Sequence, residues 1–433
     1  MVVHIYDLPN ELVLKILGFL DGASIARCSS VCKRWNSVTS LILKCNEAWH
    51  FMCREEIEPS VVVELVKGAK RRCQSAPSKR NILEEVQWLH VYKWWYGTAS
   101  VGLQKHVLKC FDIEGQSNIN CVNISGSGIV TGHTDGTVVI RNVYGDWRAV
   151  TEHGAPITSI AFIDVAGRGP YVDDLATCDH HHVVTSSQDN SIRITSLCHK
   201  SETTKEYFGT AVLDVKVSAD LLAVSLRLNV LILYKINLHE GTTGDKVSLT
   251  RLWSNSFASM GQVWMGFYSN TIHIMGINNK VRKIDVGSRA ESVRGVFFHK
   301  SPDCDPFTCP VYPTSVAINR GNIFIMTTAS QDLCISVDGR HFICYEAGLQ
   351  IGHVTAVALS GALLAVGLSH GVLNLYHVAS ASRLTQLDLS APRWTKTLAN
   401  DALTSVCISH GCYGAPLVVA CTLREVFVLR WEH

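Results

Sequence analysis

The stretch "LLAVGLSHGVLNLYHV", residues 363–378, decides how most of this chain folds. Two apolar runs of strand length flank a polar turn, and neither shows a helical period. The pattern returns at "GIVTGHTDGTVVIRNV" (128–143), "HVVTSSQDNSIRITSL" (182–197), "LLAVSLRLNVLILYKI" (221–236) and "PLVVACTLREVFVLRW" (416–431). Two further copies, "QVWMGFYSNTIHIMGI" (262–277) and "NIFIMTTASQDLCISV" (322–337), bring the count to seven. Each copy reads as the second and third strands of one unit.

All but the copy at 262–277 follow a first strand of the form small-Val-x-apolar. These are "NCVNI" (120–124), "TSIAF" (158–162), "LDVKV" (213–217), "TSVAI" (314–318), "TAVAL" (355–359) and "TSVCI" (404–408). Consecutive first strands lie 38 to 55 residues apart, except for one gap of about double length around 262–277, where the first strand has decayed. Four short strands at this period make one blade of a β-propeller. The last unit stops after its third strand, so "KHVLKCFDIE" (105–114) is expected to supply the outer strand, close the ring and remove a free sheet edge.

Ahead of residue 100 the texture is helical. In "DLPNELVLKILGFL" (7–20), Pro9 suits a first turn, Glu11 complements the helix dipole, and Asp21–Gly22 ends the segment. Between Leu12 and Leu20 only Lys15 and Gly18 are not apolar, too many apolar residues for one buried stripe and too few for a membrane span. Helical patterns follow at 23–38 and 45–57, then a basic loop or linker at 66–81, then the tryptophan-rich helix "ILEEVQWLHVYKWWYG" (82–97), apolar on two sides like a brace. The chain therefore reads as an α+β multidomain protein: a helical domain at 1–55, a helical linker at 56–99 and a seven-bladed all-β propeller at 100–433.

Bulk properties narrow the function. A net charge of +2 is no footprint of a nucleic-acid binder, and no apolar run is long enough to span a bilayer. The opening residues carry no secretory signal pattern. Sixteen cysteines lack Cys-x-x-Cys spacing and sit inside apolar runs, as at Cys121, Cys407 and Cys421; they read as reduced core residues of a cytoplasmic or nuclear protein. The three histidines at 180–182 are adjacent and so diverge, which denies a metal centre, and no segment carries a catalytic constellation or calls for a cofactor.

The repeats resemble the WD-repeat family, with Gly352–His353 for its Gly-His pair, Asp135–Gly136 for its acidic turn and Trp431–Glu432 for its Trp-Asp ending. The N-terminus is similar to the F-box family through Leu8–Pro9, Glu11–Leu12, Ile16–Leu17, Leu20–Asp21, Val31–Cys32, Trp35 and Trp49. Together the halves resemble the F-box/WD-repeat proteins, substrate receptors of SCF-type cullin-RING ubiquitin ligases. The resemblance implies a Skp-family adaptor bound by Leu8, Pro9, Glu11, Leu12, Leu14, Ile16, Leu17, Phe19, Val31, Cys32 and Trp35 and, through it, cullin and a RING protein. In this reading Val13, Ile16, Leu17 and Leu20 face the following helices, and Leu12, Leu14 and Phe19 need a partner.

Turns between second and third strands share one propeller face with the turns entering each first strand. They offer His133, Gln188, Arg227, Tyr268, Gln331, His370 and Arg424 to a client protein, phosphorylated or not. Two arginines set beside leucines favour a mixed or apolar epitope, and Arg141 and Arg193, in third strands, are expected to face outward. Two functions fit these features: a non-catalytic ligase receptor, or a scaffold organising some other complex.

Overall fold

The computed structural model describes residues 8–73, 87–113, 117–126, 128–164, 181–197, 202–239, 246–261, 263–268, 270–300, 311, 313–319, 323–347, 351–410 and 416–431. Its strands form seven sheets arranged as blades, each with a first, innermost strand and an outer edge strand. Blade 1 holds Ile119–Ser125, Gly128–His133, Thr137–Arg141 and Trp147–Glu152; blade 2 runs from Ile157 to Tyr207, blade 3 from Val212 to Ser256 and blade 4 from Val263 to Gly295. Blade 5 runs from Pro313 to Tyr345, blade 6 from Val354 to Thr397, and blade 7 joins Ser405–Trp431 to the early strand His106–Asp112.

That early strand lies antiparallel to Glu425–Trp431, with His106 opposite Trp431 and Asp112 opposite Glu425, so the ring closes where the sequence pattern places the closure. The Trp431 indole, 1% exposed, donates to the Val101 carbonyl at 2.9 Å and fastens the seam. Blade 5 carries a fifth strand, Phe297–His299, running parallel to His341–Tyr345.

The second strands explain why the quoted runs are so apolar. Gly128–His133, Leu221–Leu226, Ile323–Thr328, Leu363–Leu368 and Pro416–Cys421 are buried at every position, because neighbouring blades cover both faces. Tight turns follow them with one left-handed residue each: Gly136, Asn190, Asn229, Asn279, Gln331 and Gly371 in blades 1 to 6. Gly136 could not be replaced cheaply, since a Cβ there would sit 2.2 Å from the His153 carbonyl oxygen.

Blade 4 departs from the expected phase by one strand. Val263–Tyr268 is its first strand and Thr271–Gly276 its second, followed by Lys280–Asp285 and Glu291–Gly295. Its first strand has lost the small-Val pattern rather than disappeared, and the turn into the third strand lies at Asn278–Asn279.

The helical part comprises α1 (Asn10–Leu17), α2 (Gly22–Cys28), α3 (Lys33–Leu43), α4 (Asn46–Glu56), α5 (Pro59–Cys73) and α6 (Trp88–Ala99), with a short α7 (Ala381–Leu384) in blade 6. The pattern at 23–38 is thus two helices, parted where Cys32 accepts the Trp35 N–H on its sulfur. Residues 66–73, expected as loop, continue α5; the rest of that loop and the start of the tryptophan-rich segment lie outside the described residues. Trp88, Val91, Tyr92 and Trp94 of α6 are buried in one core with Trp49, Cys53, Val61, Leu65 and Ala362 of blade 6.

One pair of cysteines corrects the all-thiol expectation. Cys334 and Cys344 face each other in register on adjacent strands, Cα atoms 4.1 Å apart, and are disulfide-bonded. A search for closely spaced knuckles does not see a pair that meets only across a hairpin.

Candidate functional site: an apolar helix stripe and a propeller face

The helix α1 buries one side and exposes another. Val13 and Leu17 are 2% and 1% exposed and form a small core with Val38, against which Leu8, Leu14 and Trp35 pack half-buried. Leu12 (47%), Ile16 (43%), Phe19 (84%) and Leu20 (39%) remain open to solvent. Their spacing of four, three and one puts them on one stripe along α1 and the turn after it. Pro9 precedes the helix rather than lying in its first turn, and its carbonyl accepts from the Leu12 and Val13 N–H groups, both at 3.1 Å. Glu11 is exposed in the first turn. Arg34 ties the entry down, donating to the Leu8 carbonyl and, at 3.0 Å, to Asn10 Oδ1.

Against the expected adaptor set, the geometry makes three changes. Leu17 is core and has nothing to offer a partner, while Leu14 is partly covered by its own domain. Ile16 and Leu20, expected against the following helices, are on the open stripe. Val31 is 58% exposed; Cys32 and Trp35 are partly buried, and Cys32 acts as a helix cap. Leu41 (66%) and Phe51 (63%), on α3 and α4, are exposed apolar residues that motif matching passed over.

On the propeller, backbone hydrogen bonds hold the second-to-third-strand turns against the entries to first strands. Arg227 N–H donates to Ala211 O at 2.9 Å, Val354 N–H to Gln331 O at 2.9 Å and Ile119 N–H to Leu423 O at 2.8 Å. This knits one face around the ring. Gln188, Arg227, Gln331, His370 and Arg424 are exposed there, with Leu228 (67%) and Leu423 (50%) beside the two arginines. Those two Arg-Leu pairs stand in blades 3 and 7, on different sides of the ring.

Two members of the expected client set leave it. His133 is fully buried, its Nδ1 2.9 Å from Ser117 O and its Nε2 3.0 Å from Thr131 Oγ1, and burial lowers its pKa; it braces blade 1. Tyr268 ends the first strand of blade 4, and so belongs to the turn on the opposite face, a consequence of the one-strand phase error. Arg141, expected outward, is 3% exposed with its guanidinium 5.6 Å from the centre of the Trp147 ring.

A structural network that the sequence reading missed lies in blade 2. His153 Nδ1 is 3.1 Å from Asp189 Oδ2 and its Nε2 is 2.8 Å from Thr185 Oγ1, while Asp189 also accepts from Gly154 N–H at 3.1 Å. It pins the strand entry to the turn, and its signal was the reversed pair His153–Gly154. Burial pushes the thiols of Cys121 and Cys407 up to about 12, which makes them poor nucleophiles.

Residues 5–55 match the F-box-like family model. The chain thus joins an F-box-like region to a seven-bladed β-propeller. Among solved structures, the β-propeller domain of Myceliophteria thermophila Cps50 (Swd1) is similar over 75% of this chain and 100% of that one, with a TM-score of 0.53 and 11% identity. The computationally designed protein Ika8 covers 74% of the F-box/propeller chain and 98% of its own, at a TM-score of 0.46 and 12% identity. Comparison with curated proteins returns no match. An F-box joined to a propeller is an architecture typical of non-catalytic adaptors and suggests a substrate receptor.

Proposed function

We propose that this chain is the substrate-recognition subunit of an SCF-type ubiquitin ligase. The F-box docks on a Skp-family adaptor, which brings cullin and the RING protein, and the propeller face holds a client. The observation that carries the reading is the open stripe of Leu12, Ile16, Phe19 and Leu20 on an F-box-like domain. Burying a side chain as exposed as Phe19 contributes roughly 1.5–3 kcal/mol, so a few such residues sustain a tight interface. The receptor supplies no nucleophile; it raises the effective concentration of the client near the ligase machinery.

The client contacts are Gln188, Arg227, Gln331, His370 and Arg424 with Leu228 and Leu423, an array suited to a segment that pairs apolar side chains with carboxylates or phosphates. This reading puts the complex in the cytoplasm or nucleus. The test is co-purification of the full chain with a Skp-family adaptor and cullin. Phe19→Asp with Leu12→Asp should abolish it while leaving the circular dichroism spectrum intact. Retention of adaptor and cullin by the double variant would defeat the proposal, and a chain that gathers other proteins but never cullin would be a scaffold instead.

A further inference from the structure

The hairpin of blade 5 formed by Leu333–Ser336 and His341–Tyr345 sets Cys334 directly opposite Cys344. Their Cα atoms are 4.1 Å apart, the spacing of a narrow pair that makes no ladder hydrogen bonds of its own. Leu333 opposite Tyr345 and Ile335 opposite Ile343 flank it and keep the register. The sheet therefore brings the two sulfurs together whether or not they are bonded. The bond spans a sequence separation of only 10, so it restricts the unfolded chain less than a long-range staple would. Blade 5 can hold its fold in either state.

The surroundings suit a bond that opens and closes. Both cysteines lie with Met275 and Val281 of blade 4 and with Phe324 and Phe342 in an apolar core, which accommodates a disulfide or two neutral thiols without a buried charge. Access is one-sided. Cys334 is 1% exposed, whereas Cys344, on the fourth strand, is half-buried and is the one a small thiol or disulfide can reach. The pair also sits beside a working part of the propeller face. Cys334 follows the turn at 329–332 that carries Gln331, and Cys344 precedes the segment that enters blade 6 at Val354. The Val354 N–H donates to Gln331 O at 2.9 Å, so a Cys334–Cys344 bond joins the two stems beneath that contact.

We propose that Cys334 and Cys344 form a reversible thiol–disulfide switch, driven by low-molecular-weight thiols and disulfides, that sets the stiffness of the Gln331 corner of the propeller face. In oxidation the Cys344 thiolate attacks a small disulfide such as oxidised glutathione and expels one glutathione thiolate. The Cys334 thiol then loses its proton to water, and its sulfur attacks Cys344 and expels the second. Two protein thiols are oxidised to one disulfide, and one small disulfide is reduced to two thiols. Reduction is the reverse and enters at Cys344. The switch stands without the ligase reading; only its effect on a client rests on that reading.

The test holds the full chain in glutathione buffers that run from about a hundredfold excess of the reduced form to about a hundredfold excess of the oxidised one. Samples are quenched in acid, unfolded, alkylated with N-ethylmaleimide and mapped by peptide mass. Cys334 and Cys344 should be alkylated together at the reducing end and protected together, without bound glutathione, at the oxidising end, and the change should reverse. Hydrogen exchange at the Gln331 and Val354 amides should be at least about threefold slower in the oxidised protein than in the reduced one. Cys344→Ser and, separately, Cys334→Ala should exchange at the reduced rate in both buffers. The proposal is overturned if the pair stays protected in excess reduced glutathione, if it stays alkylated or only takes up glutathione in excess of the oxidised form, or if the wild type shows no exchange difference that the two variants lack.

Discussion

Mild acid should loosen the propeller at His273. This imidazole sits on the second strand of blade 4, 2% exposed, edge-on to Phe324 of blade 5 at 5.9 Å, and among the described residues its Nε2 has no hydrogen-bond partner. Lys283 lies opposite it in register. Burial first, and the lysine charge second, lower its pKa from 6.5 to about 4. Between those values the unfolded chain carries the extra proton and the folded chain does not, so stability falls as the pH falls. The contribution is complete above the unfolded pKa and is lost progressively from about 6.5 to 4, reaching ~2 kcal/mol at pH 5 and ~3 kcal/mol below pH 4. Urea unfolding of wild type and His273→Phe at pH 7.5 and pH 5 measures it. His153 and His377, whose pKa values are also lowered to about 4, act in the same window, so the quantity to read is the difference between the proteins. The variant should lose about 2 kcal/mol less than wild type on acidification, and Lys283→Gln should reduce the loss by a smaller amount. If His273→Phe lost as much as wild type, the proton would be going elsewhere and the reasoning would fail.

Three further outcomes follow from close contacts and from the seam. Gly22→Val should destabilise the helical region by ~1–3 kcal/mol, because a Cβ there lies 2.8 Å from the rings of Trp49 and Tyr92; thermal melting followed by helical circular dichroism reports it. Gly136→Ala should cost at least ~1–3 kcal/mol in urea, since φ is +94° and the new carbon would meet the His153 carbonyl oxygen. Lys109→Pro, placed mid-strand opposite Val428, removes a ladder donor at the ring closure, and limited proteolysis should then cut in blade 7 first.

The blades were legible because a strand sandwiched between neighbours has to be apolar at every position, and that run repeats with a turn behind it. The F-box was legible because Leu8–Pro9 and Val31–Cys32 hold a fixed spacing ahead of the helices they start. Blade 4 was misphased for a physical reason: its first strand, "VWMGFY", is as apolar as a second strand, so apolarity alone could not tell them apart. The turn could have: Asn278–Asn279 announces the left-handed residue that blades 2 and 3 also take from asparagine, at Asn190 and Asn229. Burial of single polar residues was the least legible part. His133 reads as a turn residue, and only the fold reveals the Ser117 carbonyl and Thr131 hydroxyl that accommodate it. Leu17 fits the F-box pattern and yet is core, because the apolar positions of that pattern fall both on the open stripe and on the side packed against Val38.

The join between helices and ring bears on what the two ends can do together. Glu58 Oε2 accepts from the Ala381 N–H at 2.7 Å and Glu64 Oε1 from the Gly361 N–H at 3.0 Å, so the segment at the start of α5 grips the backbone of blade 6 at two points. Ala362 is buried among the helical core residues, and the rings of Trp95 and His377 meet edge-on at 6.3 Å. A flexible tether would let a client sample a wide volume and would dilute it near the ligase; a packed joint confines it to a narrow one. Under the proposed reading the tryptophan helix is therefore what turns two binding surfaces into one device. Loosening it should slow client modification even when both surfaces still bind.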